Sequence, residues 1–373
     1  MNIALNTLSA RAGAGLSVFQ TLMKALEEVD RKNKYFVFVS SKQTSIIESI
    51  PNNFEKVIFK HCPANPYFRV LWEQSVLPFY IYKYKIDILY SVGNITSLLA
   101  PCKVVLFIEN VNPFSKVVTS WTFKEKIRNK LLFYLGWISA MKASKIRFCS
   151  ERSMEIIKKI YKIDEKKCFL LRHGLDLNSI KTNSESRFPF NYILTVSVVA
   201  PHKNIEVLIK AFAILKSNNL YDGKLIIVGD TDCYPDYYTK LVNMSKKLKI
   251  QDHVIFYGSV KYKEIFDFYK NADCFVFPSL EETFGLPVIE SLYFNVPTIL
   301  SDGLKHKDLF IPFNEIARNY AMYFDPYDEH DLADKIIQSI NNKQEIDSKK
   351  FVESYYNIKK ITEILVSEFN NFK

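Results

Sequence analysis

The sequence predicts an α/β protein of two consecutive domains, each built on a parallel sheet. Three observations carry that prediction. Short apolar runs alternate with amphipathic stretches along most of the chain, the pattern of βαβ units. The alternation pauses once, in the polar residues 177–189, and then restarts. The chain has 373 residues, enough for two domains that each bury a core of their own.

The elements follow in order. Residues 2–5, 35–40, 86–92, 104–109 and 145–150 read as strands. Residues 17–29 and 127–141 carry helical periodicity between them. After the polar segment come strand 192–199, helix 205–216, strand 224–228, helix 237–248, strand 254–257 and helix 261–270. The aromatic run 274–279 reads as a short buried strand because it ends at a proline. A helix then starts at Pro287, where the missing N–H costs nothing, and strand 298–300 follows. Residues 351–372 read as one long last helix, with apolar residues at 351, 355, 358, 361, 365 and 369. The expected domains are therefore 1–180 and 181–350, closed by a helix over 351–373. No internal repeat or low-complexity tract interrupts them.

Composition narrows the function. A hydrophobic content of 48% with 10 glycines and 14 prolines fits an ordered globular chain. No run of about 18 apolar residues predicts a membrane span, and Met1-Asn-Ile-Ala-Leu-Asn6 reads as a strand start instead of a leader. The six cysteines are scattered, with no C-x-x-C pair, which fits reduced thiols in a cytoplasmic protein. A net charge of +10 suits phosphorylated ligands, an anionic membrane or nucleic acid. Nucleic acid is set aside because the excess is dispersed lysine, without zinc-finger spacing or an arginine-rich tract. In helix 127–141, Ile127, Leu131, Tyr134, Ile138 and Met141 form one stripe, with Trp137 beside it and Arg128, Lys130 and Lys142 flanking. Packing on a sheet is the commoner fate of such a stripe; lying on the inner face of an anionic membrane is the other.

The candidate chemistry sits around Pro278-Ser-Leu-Glu-Glu-Thr-Phe-Gly-Leu-Pro-Val-Ile-Glu290. Glu282 precedes a tight turn at residues 285–287, and Glu290 is expected in the first turn of the helix after it. A strand feeding a helix N-terminus is where open α/β sheets hold anions. Spacing alone fits equally a turn glutamate plus a glutamate favoured by the helix dipole. Lys203 follows one strand and precedes helix 205–216, so it belongs at the same sheet end. His202 beside it offers a second donor, charged when protonated. Between the first strand and first helix, Gly13 and Gly15 permit close backbone approach to a ligand, and Arg11 lies in the same loop.

The string Glu282-Thr-Phe-Gly-Leu-Pro-Val-Ile-Glu290, after Phe277-Pro-Ser279, resembles the E-x7-E signature of the retaining nucleotide-sugar glycosyltransferases of family 4. The resemblance runs along most of the chain. It implies the GT-B fold: two Rossmann-like domains facing a cleft, an acceptor-side domain first and a donor-binding domain second, with the C-terminal helix crossing back to the first. It implies a nucleotide-diphosphate sugar as donor and a glycan or lipid-linked hydroxyl as acceptor, in bacterial surface-polysaccharide synthesis. Glu290 would then hold the ribose hydroxyls and Glu282 the transferred sugar. The amides of Phe284, Gly285 and Leu286, with Lys203, would hold the diphosphate, so that no metal or other cofactor is expected. Retention would follow a same-face displacement in which the leaving phosphate helps take the acceptor proton.

The sequence departs from the family in two places. Val198 and His202 stand where arginines are often found, and residues 104–114 lack the usual histidine. Glu109 or Asn110 falls at that position; either can bond a sugar hydroxyl, and Glu109 can take the acceptor proton. His173 is expected to pack at the hinge. The alternative function is a GT-B scaffold that binds a nucleotide or partner without turnover.

Overall fold

The computed structural model describes residues 1–10, 14–115, 123–182, 187–306, 309–342 and 347–372. The chain divides into two compact units. One is formed by Met1–Phe114, Trp121–Asp176 and Asn357–Lys373, the other mainly by Leu177–Tyr356.

The first unit begins with β1 (Asn2–Asn6), α1 (Ala14–Val29), β2 (Lys34–Ser40), α2 (Thr44–Ser49) and β3 (Glu55–Phe59). It continues through α3 (Pro66–Lys83), β4 (Ile88–Val92), β5 (Lys103–Phe107), α4 (Phe123–Lys142), β6 (Lys145–Phe148), α5 (Glu151–Tyr161) and β7 (Cys168–Leu170). The sheet is parallel throughout, in the order β3-β2-β1-β4-β5-β6-β7. The order in which strands are added to the sheet reverses at β1. Right-handed crossovers therefore put α1 and α2 on one face and α3, α4 and α5 on the other.

The second unit follows the same plan. It holds β8 (Tyr192–Val196), α6 (Ile205–Ser217), β9 (Lys224–Val228), α7 (Pro235–Lys247), β10 (Val254–Gly258), α8 (Phe266–Lys270) and β11 (Cys274–Phe277). Then come α9 (Leu286–Tyr293), β12 (Thr298–Ser301), α10 (Phe313–Ile316), β13 (Met322–Phe324), α11 (Glu329–Asn341) and α12 (Ser348–Tyr355). Its parallel sheet has the order β10-β9-β8-β11-β12-β13. Strands β8 and β11 are buried along their whole length, as a sheet covered on both faces requires. Each of the two units is thus a Rossmann-like domain, as expected.

Several boundaries differ from those expected. The last helix is two helices, α12 and α13 (Ile358–Asn370), because Asn357 is extended and its side chain caps Lys359 N–H. Helix α12 stays with the second unit, where Ser348 Oγ donates to Leu292 O at 2.6 Å. Helix α13 belongs to the first unit, buries Ile361, Leu365 and Phe369, and sets the Phe369 ring on Tyr90. Gly174 permits that docking: a Cβ there would lie 2.6 Å from Ile358 Cα. Strands β5 and β6 stop two residues short of the predicted ends, β6 because Ser150 turns to cap α5 at Ser153 N–H. The helix expected over 261–270 opens as a tight turn over Tyr262–Glu264 and is α-helical only in α8. Helix α3 was hidden in the sequence by Pro66 and Pro78. Pro66 proves to be its first residue, behind an Asn65 cap.

Candidate active site

The site in the second unit is assembled at the carboxyl ends of β8 and β11, the edge where open α/β sheets bind ligands. After β8 the chain makes a short turn over Pro201–Lys203 and enters α6 through Asn204, which takes a left-handed φ of 52°. Asn204 Nδ2 donates to Pro326 O at 2.7 Å and so fixes the turn. The turn is also fastened to the loop after β11: Leu280 N–H donates to His202 O at 2.8 Å. Those bonds bring Lys203 and Glu282 together, and Lys203 Nζ bonds Glu282 Oε1. Both side chains are only slightly exposed, and the Nζ also lies 5.4 Å from the centre of the Phe277 ring. Glu282 is held from behind by its N–H donating to Phe310 O at 2.7 Å.

The turn into α9 depends on Gly285. Its φ is +89°, and a Cβ there would lie 2.9 Å from the Phe313 ring. Gly285 is the N-cap residue and has no side chain of its own to cap the helix, and no acidic residue stands in the first turn, so the main-chain N–H groups at the Leu286 end of α9 are backed by the helix dipole. Phe284 and Leu286 point their side chains into the core.

Glu290 is not in the first turn of α9, where the sequence reading put it. With the helix starting at Leu286 it falls in the second turn and is 2% exposed. Tyr269 donates its hydroxyl to Glu290 Oε2 at 2.9 Å, and Tyr262 bonds the same carboxyl. Burial raises its pKa to about 7, against the pull of those two hydroxyls. His202 moves oppositely. Burial, and then the neighbouring Lys203 charge, lower its pKa to about 3, so it is neutral in this structure and offers no second cation.

In the first unit, Glu109 follows β5. Burial raises its carboxyl pKa and Arg147 pulls it back. Arg147 is itself buried, donating to Tyr90 Oη at 2.6 Å and to Leu171 O and Arg172 O at 3.0 Å, with its guanidinium 4.3 Å from the Phe107 ring centre. Asn110 is exposed. Its N–H and C=O are held by Asn94, and its Oδ1 accepts from Asn112 N–H. His173 packs edge-on against Phe107, and burial holds its ring neutral. Gly15 lies in the first turn of α1, not in a loop; Gly13 and Arg11 lie outside the described residues.

Sequence reasoning missed the partners that act at a distance. Asn204, Tyr262 and Arg147 carry no local motif, and neither the place of Phe277 beneath Lys203 nor the bond from Tyr269 to Glu290 could be read from their positions in the chain. Gly229 was readable as the end of a strand, but not its tight fit: a Cβ there would lie 1.9 Å from Ser197 O.

Comparison with known proteins bears on the fold and the family. Residues 179–357, nearly the whole second unit, match the glycosyl transferases group 1 family. The O-antigen chain mannosyltransferase RfbU of Salmonella typhimurium is 28% identical over 258 residues, which span 68% of each chain. Among solved structures, the sucrose-phosphate synthase of Thermosynechococcus elongatus superposes with a TM-score of 0.79 at 17% identity, covering 100% of this chain and 98% of that one. The Anabaena HepE protein in complex with UDP and glucose gives 0.77 at 16% identity, with both chains fully covered. At those identities the two structures attest the fold alone.

Proposed function

We propose, for a chain that belongs to the group 1 glycosyltransferases and has their GT-B fold, that it moves a sugar from a nucleotide-diphosphate donor to an acceptor hydroxyl with retention of configuration. The observation that carries this reading is the Lys203–Glu282 pair beside the glycine-led N-terminus of α9. A diphosphate needs a cation and amide donors; a sugar needs a carboxylate to accept from its hydroxyls. All three are present at one sheet edge.

In this reading the donor's diphosphate takes over Lys203, assisted by the main-chain amides around Gly285. Glu282, released from the lysine, accepts from the transferred sugar. Glu290 exchanges one tyrosine hydroxyl for a ribose hydroxyl. No metal is required for charge neutralisation. The leaving phosphate helps take the acceptor proton on the face where the bond breaks, and Glu109 or Asn110 orients the acceptor. The likeness to an O-antigen mannosyltransferase supports a glycan or lipid-linked acceptor in surface-polysaccharide synthesis.

The test is thermal stabilisation of the purified chain by UDP-, GDP-, ADP- and CMP-sugars without metal, repeated on Lys203→Ala. One nucleotide sugar should stabilise the protein, and the substitution should abolish the effect. Indifference of the wild-type chain to all four would instead favour a scaffold without turnover.

A further inference from the structure

The helix whose fate the sequence left open proves to be packed inside out. Helix α4 rests on its own unit through its small and polar side. Asn129, Gly136, Ser139 and Ala140 are buried, Gly136 lies against Tyr161 and Asn94, and Ser139 Oγ accepts from Thr96 N–H at 3.2 Å. Of its large apolar residues, Phe133 packs inward on Phe114 and Tyr161 and Leu132 and Leu135 are half-buried, but six point the other way. Ile127, Leu131, Tyr134, Trp137, Ile138 and Met141 are each between 39% and 53% exposed. Their spacing keeps them on one side for the length of the helix.

The same face of the sheet continues this surface. The segment after β4 lies between α3 and α4: Leu98 N–H donates to Gln74 Oε1 of α3, as Thr96 N–H does to Ser139 of α4. Leu99, at its tip, is 70% exposed. On α3, Phe68, Leu71, Phe79 and Tyr82 are more exposed still than the α4 stripe. An apolar surface that wide on a monomer marks an interaction face.

Charge selects the occupant. Helices α3 and α4 together carry seven basic and two acidic residues, and one of the acids, Glu73, is buried against Arg69. Helices α1 and α13, on the opposite face, carry three basic and four acidic residues. Exposed Lys126, Lys130 and Lys142 flank the α4 stripe, and Tyr134 and Trp137 bring the amphipathic rings that favour a lipid–water boundary. Among the described residues no helix is long and apolar enough to cross a membrane. We propose that the α3–α4 face of the first unit docks the protein on an anionic lipid surface, with the α4 stripe embedded among the headgroups. This contact stands on its own geometry and does not depend on the reaction proposed above.

Sedimentation of the full chain with vesicles tests it. Binding should be strong to phosphatidylcholine vesicles containing phosphatidylglycerol, weak to phosphatidylcholine alone, and reduced by salt. Replacing Lys126, Lys130 and Lys142 with Gln should weaken binding about fivefold per lysine. Tyr134→Ser with Trp137→Ser should weaken it at least tenfold, whereas Leu220→Ser, at an exposed apolar position of the second unit, should leave it unchanged. Unfolding temperatures measured alongside confirm that each variant is folded. Equal binding by folded wild type and double variant would overturn the proposal. So would failure to bind anionic vesicles, or a self-association in lipid-free solution that the same substitutions abolish. Donor stabilisation, measured separately, tells failure of docking from failure of the enzymatic reading.

Discussion

The two ends of the β11–α9 turn hold the same residue type in opposite surroundings. At one end Glu282 stands at the surface edge of the sheet and is balanced by a cation, Lys203. At the other, eight residues on, Glu290 is buried beneath the turn and held by the hydroxyls of Tyr262 and Tyr269 in place of a cation. One carboxylate is therefore a charge poised for exchange with a ligand. The other is a group whose proton is weakly held near neutral pH. The E-x7-E spacing joins a ligand-facing residue to one that also governs how the turn is held.

Four substitutions test this contrast, the largest effect first. Glu282→Gln should lower turnover by about 10²- to 10³-fold, as expected when a donor–acceptor contact at the reacting sugar is lost. Its folding stability should fall as well, since the pair is largely buried and Lys203 is left without its counter-charge, so turnover is compared at a temperature where both forms are folded. A turnover within tenfold of wild type would remove Glu282 from the reaction.

Next comes the pH profile of stability. Folded Glu290 keeps its proton up to about pH 7, whereas the unfolded carboxyl loses it near its ordinary value of 4.5. Between those limits the native state binds more protons, so stability falls as pH rises and levels off above about 7. The loss is on the order of 3 kcal/mol. Glu290→Gln should remove that contribution, leaving the variant the more stable above pH 7, as urea denaturation at pH 5 and pH 8 would show. An unaltered pH slope in the variant would assign the titration elsewhere.

Gly285→Ala tests the turn itself. The left-handed backbone and the approach to Phe313 together should cost about 1–3 kcal/mol, read as a lowered denaturation midpoint. The smallest effect belongs to Tyr269→Phe. Losing a hydroxyl that favours ionised Glu290 should cost about 1 kcal/mol at pH 8 and less at pH 4, where the carboxyl is already protonated. Equal losses at the two pH values would mean that the hydroxyl acts by packing alone.

Much of this was legible from sequence where the physics is local. A buried aromatic run, a glycine before a proline and a lysine between a strand and a helix are short-range facts, and they placed β11, the α9 turn and Lys203. The tyrosines that hold Glu290 were not legible, because they reach it from an element 21 and 28 residues earlier in the chain. Nor was the environment of Glu109, which depends on Arg147 from the next strand. The helices make the same point. Helices α4 and α13 carry equally regular apolar stripes; α13 buries its stripe and α4 exposes it. Periodicity reports that a face exists, while the residues on the opposite side decide which face turns inward. In α4 the small residues Gly136, Ser139 and Ala140 made that choice.

The break at Tyr356–Asn357 has a consequence for the order of events during synthesis. All seven strands of the first unit have been synthesised by residue 170, but the helix that covers α1 and the Tyr90 ring is made only after the whole second unit. The second unit can thus complete its core first, while the older half of the chain waits with an uncovered apolar face. Any truncation before Asn357 makes that wait permanent.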